Sequence, residues 1–123
     1  MNVLAYITDL FFQAKVGETG RAVNVKVQIT STLHRFMLEL KKSPAAVLID
    51  LDAEGINASV LIAQIKGKDP QLPIIAYGTH VRRDKMESAR KSGADYVLPR
   101  SEFSKNLGQI LAQYHIRESS SED

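Results

Sequence analysis

Five short apolar or β-branched runs recur along the chain, Val3 to Ile7, Val25 to Ile29, Ala45 to Ile49, Pro73 to Tyr77 and Tyr96 to Leu98, with helical spacing between them. This alternation constrains the fold more tightly than any other feature. Strands that alternate with helices pair in parallel, through right-handed crossovers that place helices on both faces of one sheet. Runs one, three and four are apolar at consecutive positions, as strands covered on both faces must be. Run two alternates, with Lys26 and Gln28 set against Val25, Val27 and Ile29, and run five is the shortest. Runs two and five therefore belong at the edges.

The expected fold class is α/β: a single-domain (βα)5 doubly wound parallel sheet of the flavodoxin-like kind, strand order 2-1-3-4-5. Helical faces are clearest at Leu33, Phe36, Met37 and Leu40, and around Val60, Leu61, Ala63 and Ile65. After the last strand, Phe103, Leu107, Ile110, Leu111 and Tyr114 read as one face of one helix. Ser31 or Thr32 caps the second helix, Asn57 or Ser59 the third, and Ser101 or Ser104 the fifth, since short polar side chains accept from free first-turn N–H groups. Pro44 and Pro70 follow helix ends, and Gly93 suits a left-handed stop. The first helix contains Gly17 and Gly20, each costing about 1 kcal/mol in a helix interior. It is either short or uses its glycines for close packing.

A chain of 123 residues fits one domain. Residues 1–116 are expected to form it, with 117–123 as a disordered polar tail. Sixteen Lys and Arg are interspersed with fourteen Asp and Glu, which is no footprint for nucleic acid. The absence of cysteine excludes disulfides, thiolate metal sites and a cysteine nucleophile, and agrees with a cytoplasmic setting. Apolar runs of about five residues are too short for a membrane span, and no basic region precedes a long apolar stretch as in a signal peptide. No serine-histidine-aspartate order, phosphate-cradling glycine loop or dinucleotide fingerprint is present, and the expectation is a protein that is not an enzyme.

In a 2-1-3-4-5 sheet, ligands bind beyond the carboxyl ends of strands one and three. The residues just past the strand ends are Thr8 and Asp9, Thr30 and Ser31, Asp50 to Asp52, Gly78 to His80, and Pro99 to Ser101. Three carboxylates, several hydroxyls, a histidine and an arginine should meet on one rim.

Three segments carry a family likeness: Pro-Ala-Ala-Val-Leu-Ile-Asp (Pro44 to Asp50), Leu-Pro-Ile-Ile (Leu72 to Ile75) and Gly-Ala-Asp-Tyr-Val-Leu-Pro-Arg (Gly93 to Arg100). In residues and spacing the chain resembles the receiver domains of two-component response regulators, from Asn2 to about Tyr114. It is most similar to a stand-alone receiver-like group marked by Asp-Leu-Phe-Phe (Asp9 to Phe12), Gly-Thr-His-Val (Gly78 to Val81) and Leu-Pro-Arg-Ser-Glu-Phe (Leu98 to Phe103). The resemblance implies that Asp50 is the candidate acceptor of a phosphoryl group from a histidine kinase. In the domains it resembles, acidic residues hold Mg²⁺, a hydroxyl ends strand four and a lysine ends strand five. A carboxylate attacking an anionic phosphorus needs such cations to offset developing charge.

This chain departs from that pattern around Asp50. Only Asp9 follows strand one, with Thr8 or Ile7 where a second acid is expected, so metal binding should be weaker and the expected Mg²⁺ ligands are Asp9, Asp50 and Asp52. Gly78 stands at the hydroxyl position, with Thr79 one residue late, and Arg100 replaces the lysine, followed by Ser101. Arginine can clamp a carboxylate with two hydrogen bonds, and Arg100 is expected to pair with Asp50. Asp9 reads equally as a helix N-cap. His80 reads as a donor to an anion, as a metal ligand together with Asp50 and Asp9, or as a helix-start residue or wall of the pocket, and Phe11 and Phe12 are core or helix-edge residues, one of which can cover the rim. The cluster Arg82, Arg83, Lys85, Arg90 and Lys91 is either a solvated face or a docking face.

The resulting expectation is an atypical stand-alone receiver that acts in signal transduction by docking to proteins through its fourth-helix and fifth-strand face. Phosphorylation of Asp50, with Thr79 and Arg100 as contacts, is its expected modulation. A histidine kinase and a homodimer through the fourth helix, fifth strand and fifth helix are the expected partners, with neither nucleic acid nor membrane. The alternative is a pseudo-receiver that binds a small anion or a divalent ion at the same rim, through Thr79, His80 and Arg100, without phosphotransfer.

Overall fold

The computed structural model describes residues 2–79, 81 and 83–115. The expected tail at 117–123 and the expectations for His80 and Arg82 lie outside the described residues. In chain order the elements are β1 (Val3–Tyr6), α1 (Leu10–Ala22), β2 (Val27–Thr30), α2 (Leu33–Leu40), β3 (Ala46–Asp50) and α3 (Ala58–Lys68). They continue with β4 (Ile74–Gly78), α4 (Arg83–Ser92), β5 (Tyr96–Pro99), α5 (Arg100–Lys105) and α6 (Leu107–Ala112).

The strands form one parallel sheet in the order β2-β1-β3-β4-β5, with the alternating second run and the short fifth run at its edges. Residues of β1, β3 and β4 are buried throughout, because helices cover both faces. Side chains alternate between two cores with the strand period of two. Leu4, Val47, Ile49 and Ile74 pack with Phe36, Leu61, Ile62 and Met86 on one face. Val3, Ala5, Leu48 and Ile75 pack with Phe12, Val16, Phe103 and Leu107 on the other. The sheet therefore fixes which strand-end residues share a side of the rim.

Asp9, Thr32 and Asn57 cap α1, α2 and α3, each accepting from first-turn N–H groups. Helix α1 is complete despite its glycines, and Gly20 explains why a glycine is needed there. A Cβ on Gly20 would lie 2.7 Å from the Val25 carbonyl oxygen and 2.9 Å from Val27 Cγ2, so α1 approaches the backbone leading into β2 more closely than a side chain permits. Gly93 takes φ +114° after α4, a left-handed stop.

The expected fifth helix differs in two ways. It is divided into α5 and α6 at Asn106, which adopts φ −103° and ψ 12°. The run carries Asn106 and Gly108, both poor helix formers, while Phe103, Leu107 and Leu111 still bury toward the same core. Neither Ser101 nor Ser104 is its cap. Strand β5 passes directly into α5 at Arg100, leaving Pro99 at the N-cap with no side-chain hydrogen bond and both serines within the helix. Among the described residues no helix is long and apolar enough to cross a membrane.

Candidate functional site

Asp50 is the last residue of β3 and lies opposite Tyr77 in β4. By strand alternation both share the face of Leu48 and Ile75, toward α1 and α5. Asp50 is 5% exposed. Its Oδ1 accepts from the Asp52 N–H at 2.9 Å. Burial pushes its carboxyl above the usual range, and the nearby Asp52 charge adds to this, while the Asp52 N–H and the Arg100 charge work against it.

Asp9 performs two tasks with two oxygens. Oδ1 accepts from the N–H groups of Phe11 at 2.9 Å and Phe12 at 3.3 Å, capping α1. Oδ2 accepts from Arg100 Nη2 at 2.5 Å. The Arg100 hydrogen bond, aided by the Phe12 N–H, holds the Asp9 carboxyl below its ordinary range, and the same bond raises the guanidinium. The partner expected for Arg100 was Asp50, and the structure corrects this to Asp9. The reason is reach and access: Asp50 is recessed at the strand end, whereas Asp9 opens toward the start of α5. The Arg100 guanidinium carbon lies 4.4 Å from the centre of the Phe12 ring, a cation–π contact that fixes its path.

Asp52 is drawn toward β4 and α4. Its Oδ2 accepts from the Thr79 N–H at 2.9 Å, and Oδ1 lies 3.7 Å from Lys85 Nζ. Thr8 Oγ1 accepts from the Glu54 N–H, tying the loop after β3 to the end of β1. Gly78 ends β4, where a Cβ would lie 3.3 Å from Leu51 Cβ. Ser101 is exposed in α5. The structure thus gathers Asp9, Asp50 and Arg100 around one point, turns Asp52 and the Thr79 backbone to its side, and leaves Ser101 facing solvent.

One site residue was not singled out in the sequence. Tyr77 appeared only as part of an apolar strand, yet it is fully buried, stacks on Phe103 with ring centres 4.3 Å apart and meets the Phe12 ring at 5.0 Å in a tilted contact. Its hydroxyl has no hydrogen-bond partner among the described residues, and burial, with the neighbouring Asp50 charge, pushes the phenol far upward. The signal available was register: once strands three and four are paired, Tyr77 falls beside Asp50. Phe12, read as core or helix edge and as one of two residues able to cover the rim, is both core and the platform beneath Arg100.

The expected Mg²⁺ site was Asp9, Asp50 and Asp52. Mg²⁺ requires an octahedron of oxygens, usually one or two free carboxylates with several waters. Here Asp9 spends one oxygen on helix N–H groups and the other on a guanidinium, and Asp52 is engaged with Thr79 and faces Lys85. Among the described residues no three acidic or imidazole groups converge as a metal-binding cluster. The donor set in this arrangement does not fit Mg²⁺.

No protein-family model matches the sequence, and no curated protein is similar to it in sequence. Solved structures are similar in fold. The signal receiver domain of a response regulator from Bermanella marisrubri has a TM-score of 0.80 at 17% identity, covering 91% of this chain and 95% of that one. A response regulator receiver domain protein from Clostridium thermocellum has a TM-score of 0.78 at 15% identity, covering 99% and 98%. NtrX from Brucella abortus has a TM-score of 0.78 at 14% identity over 92% of this chain, which spans only 27% of NtrX. The five-stranded order, the position of Asp50 at the end of β3 and these likenesses agree: the chain has the fold of CheY-like response-regulator receiver domains.

Proposed function

We propose that this chain is a receiver-type signalling domain that transmits by docking to other proteins, and that its Asp50 pocket braces the docking surface instead of accepting a phosphoryl group. Receiver domains are generally signalling modules without catalysis of their own, and they typically hold Mg²⁺ beside the acceptor aspartate. The observation that carries the proposal is the double engagement of Asp9, which ties the Arg100 guanidinium to the first turn of α1. That turn presents Phe11, 90% exposed, and Leu10, 77% exposed, directly beside the pocket. A pair of large apolar side chains left in water at a helix start is a contact surface in need of a partner. The α4–β5 face anticipated from the sequence also exposes Tyr96, beside the basic end of α4, and offers a more polar surface.

Three features support a closed pocket. Asp50 is recessed at the end of β3, and one of its oxygens already accepts from the Asp52 N–H. Gly78 supplies no hydroxyl at the end of β4. The cation nearest in role to the family's lysine is already paired with Asp9. The test is incubation of the folded protein with a small phosphodonor and millimolar Mg²⁺, followed by intact-mass measurement. The expected result is no gain of the roughly 80 Da that phosphorylation adds. An adduct that maps to Asp50 and disappears in Asp50→Asn would overturn the proposal.

A further inference from the structure

The Asp50 pocket sets Asp9 near Asp50 and holds a cation in a fixed place. Asp9 and Asp50 are close enough for each charge to act on its neighbours, and Asp52 adds a third. Neighbouring acids at a strand-end rim repel one another unless a positive group lies beside them. Arg100 is the positive group held against Asp9, while Asp52, turned aside, faces Lys85. Arg100 is the first residue of α5, immediately after β5, so the backbone delivers its side chain from the sheet edge nearest β4. Its guanidinium is then held by the 2.5 Å bond to Asp9 and by the face of Phe12, which is itself packed on Tyr77 and Phe103.

We infer that the Arg100 guanidinium is the pocket's built-in cation, standing where a divalent ion would otherwise offset the carboxylates, and that the pocket takes no Mg²⁺ while Arg100 is in place. A guanidinium is permanently charged and weakly hydrated, so it offsets carboxylates without the water shell that Mg²⁺ retains. To enter, Mg²⁺ must break the charge-assisted bond between Asp9 and Arg100 and then share a small volume with the displaced positive charge. Removing the guanidinium reverses the balance. Asp9 Oδ2 becomes free, Asp50 keeps an oxygen not engaged by the Asp52 N–H, and the uncompensated acids attract a hard cation.

The inference concerns the pocket named in the proposed function and rests on that placement, but its test uses metal ions alone. No phosphodonor is present, so failure here is read separately from formation of a phosphoryl adduct. The full chain, Arg100→Gln and Arg100→Met are melted with and without Mg²⁺ or Mn²⁺, and titrated by calorimetry. Methionine retains apolar contact with Phe12 and serves if glutamine fails to fold; a cooperative melt without metal establishes folding. The native chain is expected to show no shift. The variants are expected to gain about 5 °C at a metal concentration tenfold above their dissociation constant. Adding Asp9→Asn to the variant should abolish that gain. Stabilisation of the native chain by Mg²⁺, folded variants that do not respond, or a response that survives Asp9→Asn would each overturn the inference.

Discussion

Replacing Tyr77 by phenylalanine removes one oxygen from the most enclosed part of the site and should make the protein more stable. The ring interactions do not depend on that oxygen: Phe103 lies 4.3 Å away with planes 16° apart, and Phe12 lies 5.0 Å away. The hydroxyl itself is buried and has no hydrogen-bond partner among the described residues. A buried polar group without a partner costs about 1–3 kcal/mol of desolvation. Losing it, at the lower end of that range, predicts a gain of about 1–2 kcal/mol. For a chain of this size the unfolding entropy converts that gain to roughly 4–8 °C in Tm. Thermal melts and urea titrations at pH 7 measure it, and an unchanged urea m-value shows that the folded and unfolded states are otherwise comparable. A fall in stability would refute the reasoning, because it would mean that the hydroxyl donates to Asp50 or to a bound group and is satisfied.

Asp50→Asn should stabilise the protein at neutral pH, since asparagine can still accept from the Asp52 N–H without a buried charge. The sign follows from the raised carboxyl: Asp50 ionises more readily in the unfolded chain, so native stability falls as pH rises from the ordinary carboxylate range through the folded value. The advantage of asparagine should therefore shrink as pH is lowered to about 4 and below, as pH-dependent melts of both proteins will show. A constant difference across that window would exclude a charge origin. Serine at both Leu10 and Phe11 should leave stability within about 0.5 kcal/mol, because these side chains face solvent. The same change should abolish capture of a protein partner by a photo-cross-linker placed on the first turn of α1. Capture that persists unchanged would remove α1 as the docking surface.

The parts of the site that were legible in the sequence are those set by strand ends. Asp9, Asp50, Gly78 and Arg100 stand at the carboxyl ends of β1, β3, β4 and β5 because the apolar runs end there. What the one-dimensional pattern does not carry is which charge meets which. Arg100 lies 91 positions from Asp9, and its choice of partner depends on the depth of Asp50, the opening of Asp9 and the Phe12 ring beneath the guanidinium. Tyr77 was hidden for a related reason: hydropathy treats a tyrosine in a strand as core, and only register places its hydroxyl beside an acid.

Helix ends divide along the same line. Thr32 and Asn57 cap their helices through bonds spanning three residues, so local sequence was enough to name them among the candidates. The break at Asn106 and the uncapped start at Arg100 depend on how β5 delivers the chain into α5, which local propensity does not describe. By itself, the sequence determined the sheet, its order and its edges, because burial on one or two faces is written directly into the spacing of apolar residues. Only the tertiary structure decided the electrostatics of the pocket, because the energy of a charge depends on its depth and its neighbours in space, and those are set by packing between elements distant in the chain.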